Sequence, residues 1–123
     1  MKIELGKLLV SRIAMESIAK IKMSPTVAYK IQRNFRLIEP ELQTYEEARV
    51  NMIRETYGVK NDDDQYVVPE ESLSEFIGEL SKLQAVKIDL DISQISVNDM
   101  NFDISPTELS AIEWMISDKT EED

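Results

Sequence analysis

The longest periodic stretch of the chain runs from Ser24 to Gly58 and reads SPTVAYKIQRNFRLIEPELQTYEEARVNMIRETYG. Ser24 is a good N-cap, Pro25 suits the first helical position, and Gly58 fits a left-handed residue that ends a helix. The stretch predicts one helix of up to 34 residues, about 50 Å long if straight. We expect a kink rather than a break at Pro40, because the apolar spacing continues across it. The apolar positions, spaced by three and four as in a buried seam, are Ala28, Ile31, Phe35, Ile38, Leu42, Tyr45, Ala48 and Met52.

A shorter helical pattern precedes this stretch. It predicts a first helix from about Gly6 to Lys22, which ends before Ser24. Because the two helices are joined by a short turn, we expect them to pack antiparallel as a hairpin. The apolar residues of the first helix are Leu9, Ile13, Ile18 and Ile21, with Val10, Ala14 and Ala19 beside them.

A loop and a third helix are predicted after the hairpin. Val59 to Pro69 is acidic and rich in turn residues, and it lacks the period of a helix or a strand, so we expect an exposed loop. Glu70 and Glu71 then place carboxylates at a helix start, where they favour its dipole. We predict that this helix ends near Gln84. Its apolar face is predicted to comprise Leu73, Phe76, Ile77, Leu80 and Leu83.

The last part of the chain predicts a strand and a capped helix. Residues Val86 to Ile92 alternate between apolar and charged side chains, as in a strand with one buried face. Its partner is either Lys2 to Leu5 or Ile95 to Val97, which would make a sheet of two or three strands. Ser105 to Glu108 forms a capping box that opens a final helix. An acidic tail that frays is expected at Lys119 to Asp123.

Together these elements predict the fold class and the domain organisation. We expect one domain over residues 1–123, of the α+β class and mostly α. Its parts are a long antiparallel helical hairpin, a small two- or three-stranded sheet and a C-terminal helix. The composition agrees, because 42% apolar and 31% charged residues are ordinary for a globular chain.

The chain contains neither cysteine nor histidine. Disulfides, thiolate nucleophiles and cysteine-ligated zinc are therefore excluded, and so is the usual general base at neutral pH. The glycines are isolated, so no phosphate-binding loop is present. We predict a protein that is not an enzyme and that needs no cofactor. The N-terminus does not resemble a signal peptide and no run is long enough to span a bilayer, so we expect an intracellular protein without a membrane partner.

Charge is distributed unevenly along the chain, whose net charge is −10. Residues 1–36 carry eight Lys or Arg against two Glu, whereas residues 37–123 carry six against twenty-two Asp or Glu. The two regions attract each other within the fold or between copies, so a homo-oligomer is one alternative. Around the turn between the first two helices we identify candidate partner-binding residues Lys20, Lys22, Lys30, Arg33 and Arg36. A second candidate set is the acidic run Asp62, Asp63 and Asp64.

These charged groups favour a protein partner over other ligands. The spacing of three between Lys30, Arg33 and Arg36 predicts that they share one side of the helix, but few aromatic residues interleave them, so we do not expect nucleic acid as a partner. The acidic run Asp62 to Asp64 lacks the glycine and the distant glutamate of a calcium-binding loop and reads as a polar turn. The four aspartates that could instead hold a divalent ion, although we expect a solvated surface, are Asp89, Asp91, Asp99 and Asp103.

Two stretches carry a resemblance to known proteins. Leu37-Ile38-Glu39-Pro40-Glu41-Leu42 is followed by Tyr45-Glu46-Glu47-Ala48-Arg49, and a later segment reads Ile104-Ser105-Pro106-Thr107-Glu108-Leu109. With the order of elements around them, these stretches resemble a small family of uncharacterised proteins of tailed bacteriophages and prophages. The resemblance implies a phage origin, and hence a location in the bacterial host cytoplasm or in a virion. It supplies no catalytic residues.

We therefore expect a non-enzymatic phage accessory protein that acts by protein–protein binding. In the first version it modulates or inhibits a host or defence protein, with its acidic surface occupying a basic groove meant for nucleic acid. In the second it is a virion structural or assembly component, in which the basic N-terminal region of one copy meets the acidic remainder of the next. A metal-dependent enzyme is a distant third alternative.

Overall fold

The computed structural model describes residues 1–117 and shows a mostly helical α+β fold. The predicted acidic tail at Lys119 to Asp123 lies outside the described residues. The helices are α1 (Leu5–Ala19), α2 (Pro25–Met52), α3 (Glu70–Gln84) and α4 (Pro106–Ile112). The strands are β1 (Lys2–Glu4), β2 (Val59–Lys60), β3 (Tyr66–Val67), β4 (Lys87–Asp89), β5 (Ile95–Ser96) and β6 (Ile116–Ser117).

Helix α2 is the axis of the fold. The Ser24 hydroxyl accepts a hydrogen bond from the Val27 amide at 3.4 Å, so the predicted N-cap is confirmed. The helix passes through Pro40 without a loop, and its 28 residues extend about 40 Å at the usual rise. The predicted seam is buried at Ile31, Phe35, Ile38, Leu42 and Tyr45. It is wrong at its first position, because Ala28 is exposed.

The end of α2 differs from the prediction. The α-helix stops at Met52 and continues as one π-helical turn over Ile53–Tyr57. Gly58 then has φ −94° and ψ 151°, which is extended and not the left-handed conformation that we expected. Its amide donates to the Ile53 carbonyl at 2.6 Å, closing the wider π turn. The close approach of the Ile53 carbonyl, and not a positive φ, therefore explains why this position is a glycine.

Replacing Gly58 by alanine is expected to lower the free energy of unfolding by about 1–3 kcal/mol, the usual cost of overpacking. An added Cβ would lie 2.6 Å from Ile53 Cγ2 and closer still to the Ile53 carbonyl oxygen, so the backbone must shift. The matched control is Gly78→Ala, because a Cβ at Gly78 meets no heavy atom within 4 Å and alanine is the better helix former. Urea denaturation should show a lower free energy of unfolding for Gly58→Ala and a higher one for Gly78→Ala. A stabilising Gly58→Ala substitution would contradict this explanation.

Helix α1 packs against both α2 and α4. Arg12 Nε of α1 lies 3.9 Å from Glu39 Oε1 of α2, and nearer the turn Ile18 and Ile31 line the same groove. The two helices therefore run antiparallel, as predicted.

The buried face of α1 agrees only in part with the prediction, which placed Ile18 in it correctly. Ile13 and Val10 are 81% and 54% exposed, while Ser11 is fully buried. The Ser11 hydroxyl donates to the Ala111 carbonyl at 2.6 Å and accepts from Trp114 Nε1 at 2.8 Å. The polar Ser11 lies within the buried face. A prediction from apolar residues alone therefore missed this position and assigned the exposed Ile13 to the face instead. The side chains buried with Ser11 are Leu5, Leu8 and Ile18.

Within residues 1–117, three separate two-stranded sheets flank the helices. Of the two candidate partners for the predicted strand, the N-terminal one is confirmed, since β1 pairs antiparallel with β4 and Ile3 faces Ile88. The strand is shorter than the predicted Val86 to Ile92. The other candidate, β5, pairs in parallel with β6, which follows the last helical turn. The predicted irregular loop from Val59 to Pro69 contains the antiparallel hairpin β2–β3, and most of it is exposed as expected.

A buried asparagine joins the remaining segments to α2. Asn34 Nδ2 donates to the Ser93 carbonyl at 2.8 Å and lies 3.4 Å from Met115 Sδ, while Asn34 Oδ1 accepts from the Ser93 amide at 2.7 Å. These contacts fix the segment before β5 and the turn after α4 against the middle of α2. The predicted capping box is confirmed, because Ser105 and Glu108 bond each other's backbone amides.

The part of the chain before residue 118 has no helix that combines the length and the apolar composition needed to cross a membrane.

Candidate protein-binding groove

An open groove lies between α1 and α2 at the turn that joins them. Its volume is about 440 Å³. We name it the α1–α2 groove. The residues that line it are Met15, Ile18, Ala19, Ile21, Met23, Ala28, Ile31, Gln32, Phe35, Arg36 and Glu39.

The wall of the α1–α2 groove is mainly apolar. Ile18, Ile31 and Phe35 form its floor as part of the hydrophobic core. Met15 and Met23 are half-buried, and unbranched methionine side chains adapt to differently shaped partners. The arrangement is suited to binding a few apolar side chains of a partner.

Three cations lie in or beside the groove near the turn. Arg36 is exposed and belongs to its wall, while Lys20 and Lys22 do not line it but are exposed in the turn beside two residues that do, Ile21 and Met23. Within residues 1–117, these three side chains have no ion-pair partner. Glu39, at the opposite end of the wall, is paired with Arg12. The charge available to a ligand is therefore positive.

Two of the predicted basic residues do not contribute to this surface. Arg33 Nη1 donates to the Asp91 carbonyl at 2.8 Å and to Ser93 Oγ at 2.9 Å, so its guanidinium holds the segment before β5 against α2. Lys30 is half-buried and does not line the groove. Each step of three residues along a helix falls about 60° short of a full turn. Lys30, Arg33 and Arg36 therefore do not share one side of α2, contrary to the prediction.

The predicted acidic set lies elsewhere. Asp62, Asp63 and Asp64 are exposed in the turn of the β2–β3 hairpin, beyond the C-terminal end of α2. The Asn61 side chain accepts from the Asp63 amide at 2.9 Å, and Asp64 Oδ1 lies 3.7 Å from Lys60 Nζ. The basic candidates therefore lie in the turn before α2 and along its first half, whereas the acidic ones follow its C-terminal end, and the two sets do not form one site.

The four aspartates considered for metal binding are not assembled into a site. Asp89 Oδ1 lies 3.0 Å from the N-terminal amine, and Asp91 Oδ2 lies 3.4 Å from Arg33 Nη2. Over residues 1–117, no three acidic side chains are grouped so that they could hold a metal ion.

Helix α3 presents a second surface that the sequence did not reveal. Of its predicted apolar face only Phe76 is buried, with its ring centroid 5.8 Å from that of Tyr57. Leu73 and Ile77 are 42% and 51% exposed. They lie one turn apart on the same side of the helix, next to Glu70. We name these three residues the α3 flank.

The electrostatics of α3 are acidic. Its only cation, Lys82, donates to Glu79 Oε1 at 2.9 Å, and this hydrogen bond raises the pKa of Lys82 above its ordinary value. The remaining carboxylates of the helix, which have no ion-pair partner within residues 1–117, are Glu70, Glu71 and Glu75.

Comparisons of the chain with protein-family models, with curated proteins and with solved structures found no significant match.

Proposed function

We propose that this protein is a non-enzymatic accessory protein of a bacteriophage that binds a host or defence protein in the bacterial cytoplasm. The observation that carries the proposal is the apolar α1–α2 groove with its positive rim. The resemblance of the helical hairpin and the capped last helix to phage proteins supports the origin. The binding surface is basic, and in this respect the proposal differs from the acidic surface that the net charge favoured.

The groove defines the chemistry of the partner. Its floor takes apolar side chains, and its rim of Lys20, Lys22 and Arg36 attracts carboxylates. An amphipathic helix with acidic flanks satisfies both conditions, because its apolar residues recur one turn apart and enter a groove together. We therefore expect the partner to present such a helix.

Selection from a displayed library of random peptides tests the groove directly. We expect the enriched peptides to carry apolar residues at helical spacing with Asp or Glu beside them. Their affinity should fall at least about tenfold for Arg36→Glu, which repels the carboxylates, and for Ala28→Glu, which places a charge in the apolar wall. The matched control is Lys7→Glu, because Lys7 is an exposed residue of α1 outside the groove and the change in net charge is the same as for Arg36→Glu.

The affinity of the selected peptides for the Lys7→Glu control should stay within about twofold of their affinity for the wild type. Unchanged melting curves of all variants would show that the substitutions act on the surface and not on the fold. Enriched peptides without acidic residues, or peptides that bind both groove variants as well as the wild type, would refute the proposal.

A second candidate function is that of a virion structural or assembly component. It is favoured by the separation of the basic turn and the acidic β2–β3 hairpin to opposite ends of α2. Copies with oppositely charged ends attract each other head to tail, and such contacts repeat into rings or filaments.

A further inference from the structure

We infer that the α1–α2 groove accepts the α3 flank of a second copy of this chain, so that copies join head to tail. The inference rests on the groove being a protein-binding site, and it adds a second copy of the chain as an occupant that would compete with the host protein of the proposed function. It arises because the chain itself carries an acidic amphipathic helix of the kind that the groove is suited to bind.

The apolar part of the match comes from Leu73 and Ile77. Both are large aliphatic side chains, both are about half exposed, and a spacing of four places them side by side on α3. Together they give the helix a small exposed apolar patch. The groove offers Ile18, Ile31 and Phe35 as its apolar floor.

The charges of the two surfaces are complementary. Helix α3 carries four Glu and one Lys, and its cation is already paired with Glu79. Glu70, on the same flank as Ile77, would face the rim formed by Lys20, Lys22 and Arg36. Because these rim cations have no ion-pair partner within residues 1–117, docking would pair groups that are unpaired in a single copy.

The two surfaces belong to different elements, so the contact is heterologous. When one copy's flank fills its neighbour's groove, the first groove and the last flank stay open to further copies. Repetition gives a ring or a filament. A symmetric dimer, in which the same surface meets itself, is not expected.

Sedimentation of two complementary variants tests this geometry with the full chain. Ala28→Glu places a charge in the apolar wall of the groove and leaves the α3 flank unchanged. Ile77→Glu places a charge on the α3 flank and leaves the groove unchanged. The wild type should gain mass with concentration between about 1 µM and about 1 mM, and each variant alone should stay at the 14.2 kDa of one chain. An equimolar mixture should form a heterodimer of twice that mass, because one intact groove then meets one intact flank.

The matched control is Ile13→Glu. It makes the same chemical change on an 81% exposed isoleucine that lies outside the groove, and it should assemble like the wild type. Added salt should weaken the assembly of the wild type, because exposed charges are screened. A wild type that stays monomeric at about 1 mM, an Ile77→Glu variant that still self-associates, or a mixture without a heterodimer would each overturn the inference.

The peptide selection separates this result from the proposed function. If acidic peptides bind the groove while the wild type remains a monomer, the occupant is another protein and the self-docking inference is wrong. If neither the peptides nor a second copy bind the groove, the proposed function fails as well.

Discussion

Leu42→Ala is expected to lower the free energy of unfolding by about 2–5 kcal/mol, the range observed when a buried leucine is truncated in a packed core. Leu42 is fully buried on α2, and it belongs to the same core cluster as Ile38, Ile95 and Met115. Removing its isopropyl group leaves a cavity between α2 and the elements that pack on it. Urea denaturation at equilibrium would measure the loss.

The neighbouring residue provides the control. Gln43 is exposed on the same helix, and Gln43→Ala should change stability by less than about 0.5 kcal/mol. A loss below about 1 kcal/mol for Leu42→Ala would mean that the apolar seam of α2 does not face the core.

The second large effect is expected at Asn34. Asn34→Leu keeps a side chain of similar size but leaves the Ser93 amide and the Ser93 carbonyl without their partner. An unpaired buried polar group costs about 1–3 kcal/mol, so we expect a total loss of about 2–4 kcal/mol, since Ser93 is half-buried and water replaces part of the interaction. Denaturation would measure the loss, and hydrogen exchange at the Ser93 amide should become faster.

Asn51→Leu is the matched control, because Asn51 lies on the exposed side of the same helix. Its effect should remain within about 0.5 kcal/mol of zero. If Asn34→Leu were as mild as Asn51→Leu, or if exchange at Ser93 were unchanged, the segment before β5 would be held by other contacts.

The helices were predictable from the sequence because their signals are local. The Ser24 cap, the Ser105 capping box and the repeated apolar spacing of α2 each lie within a few residues, so neither the fold class nor the passage of α2 through Pro40 required knowledge of distant contacts. The face of α1 was not predictable in this way. Its central position is the polar Ser11, which is buried only because Ala111 and Trp114 supply partners from a distant segment.

The strands show the same limit. Strands β2, β3, β5 and β6 are two residues long, and no alternation can be recognised over so few positions. The parallel pairing of Ile95 with Ile116 depends on α4 returning the chain to β5. Only β4 had a clear alternating pattern, and its pairing with β1 was one of the two alternatives expected.

The candidate site was partly predictable. The composition around the first turn identified Lys20, Lys22 and Arg36, but it also included Arg33, whose partner Asp91 is 58 residues away. The apolar groove itself depends on how α1 and α2 pack beside the turn that joins them, which the apolar spacing of each helix does not predict. The α3 flank was missed because Leu73 and Ile77 fit the helical spacing and were therefore predicted to be buried.

The arrangement along α2 has a further physical consequence, because it makes the molecule a permanent electric dipole. The peptide dipoles of a helix place partial positive charge at its N-terminus, which here adjoins Lys20 and Lys22, and partial negative charge at its C-terminal end, near the acidic β2–β3 hairpin. Backbone and side-chain contributions therefore add. The field of an approaching charged molecule would exert a torque on this dipole before contact. The protein would therefore be oriented before docking. The alignment should be measurable as electric birefringence in a pulsed field at low ionic strength.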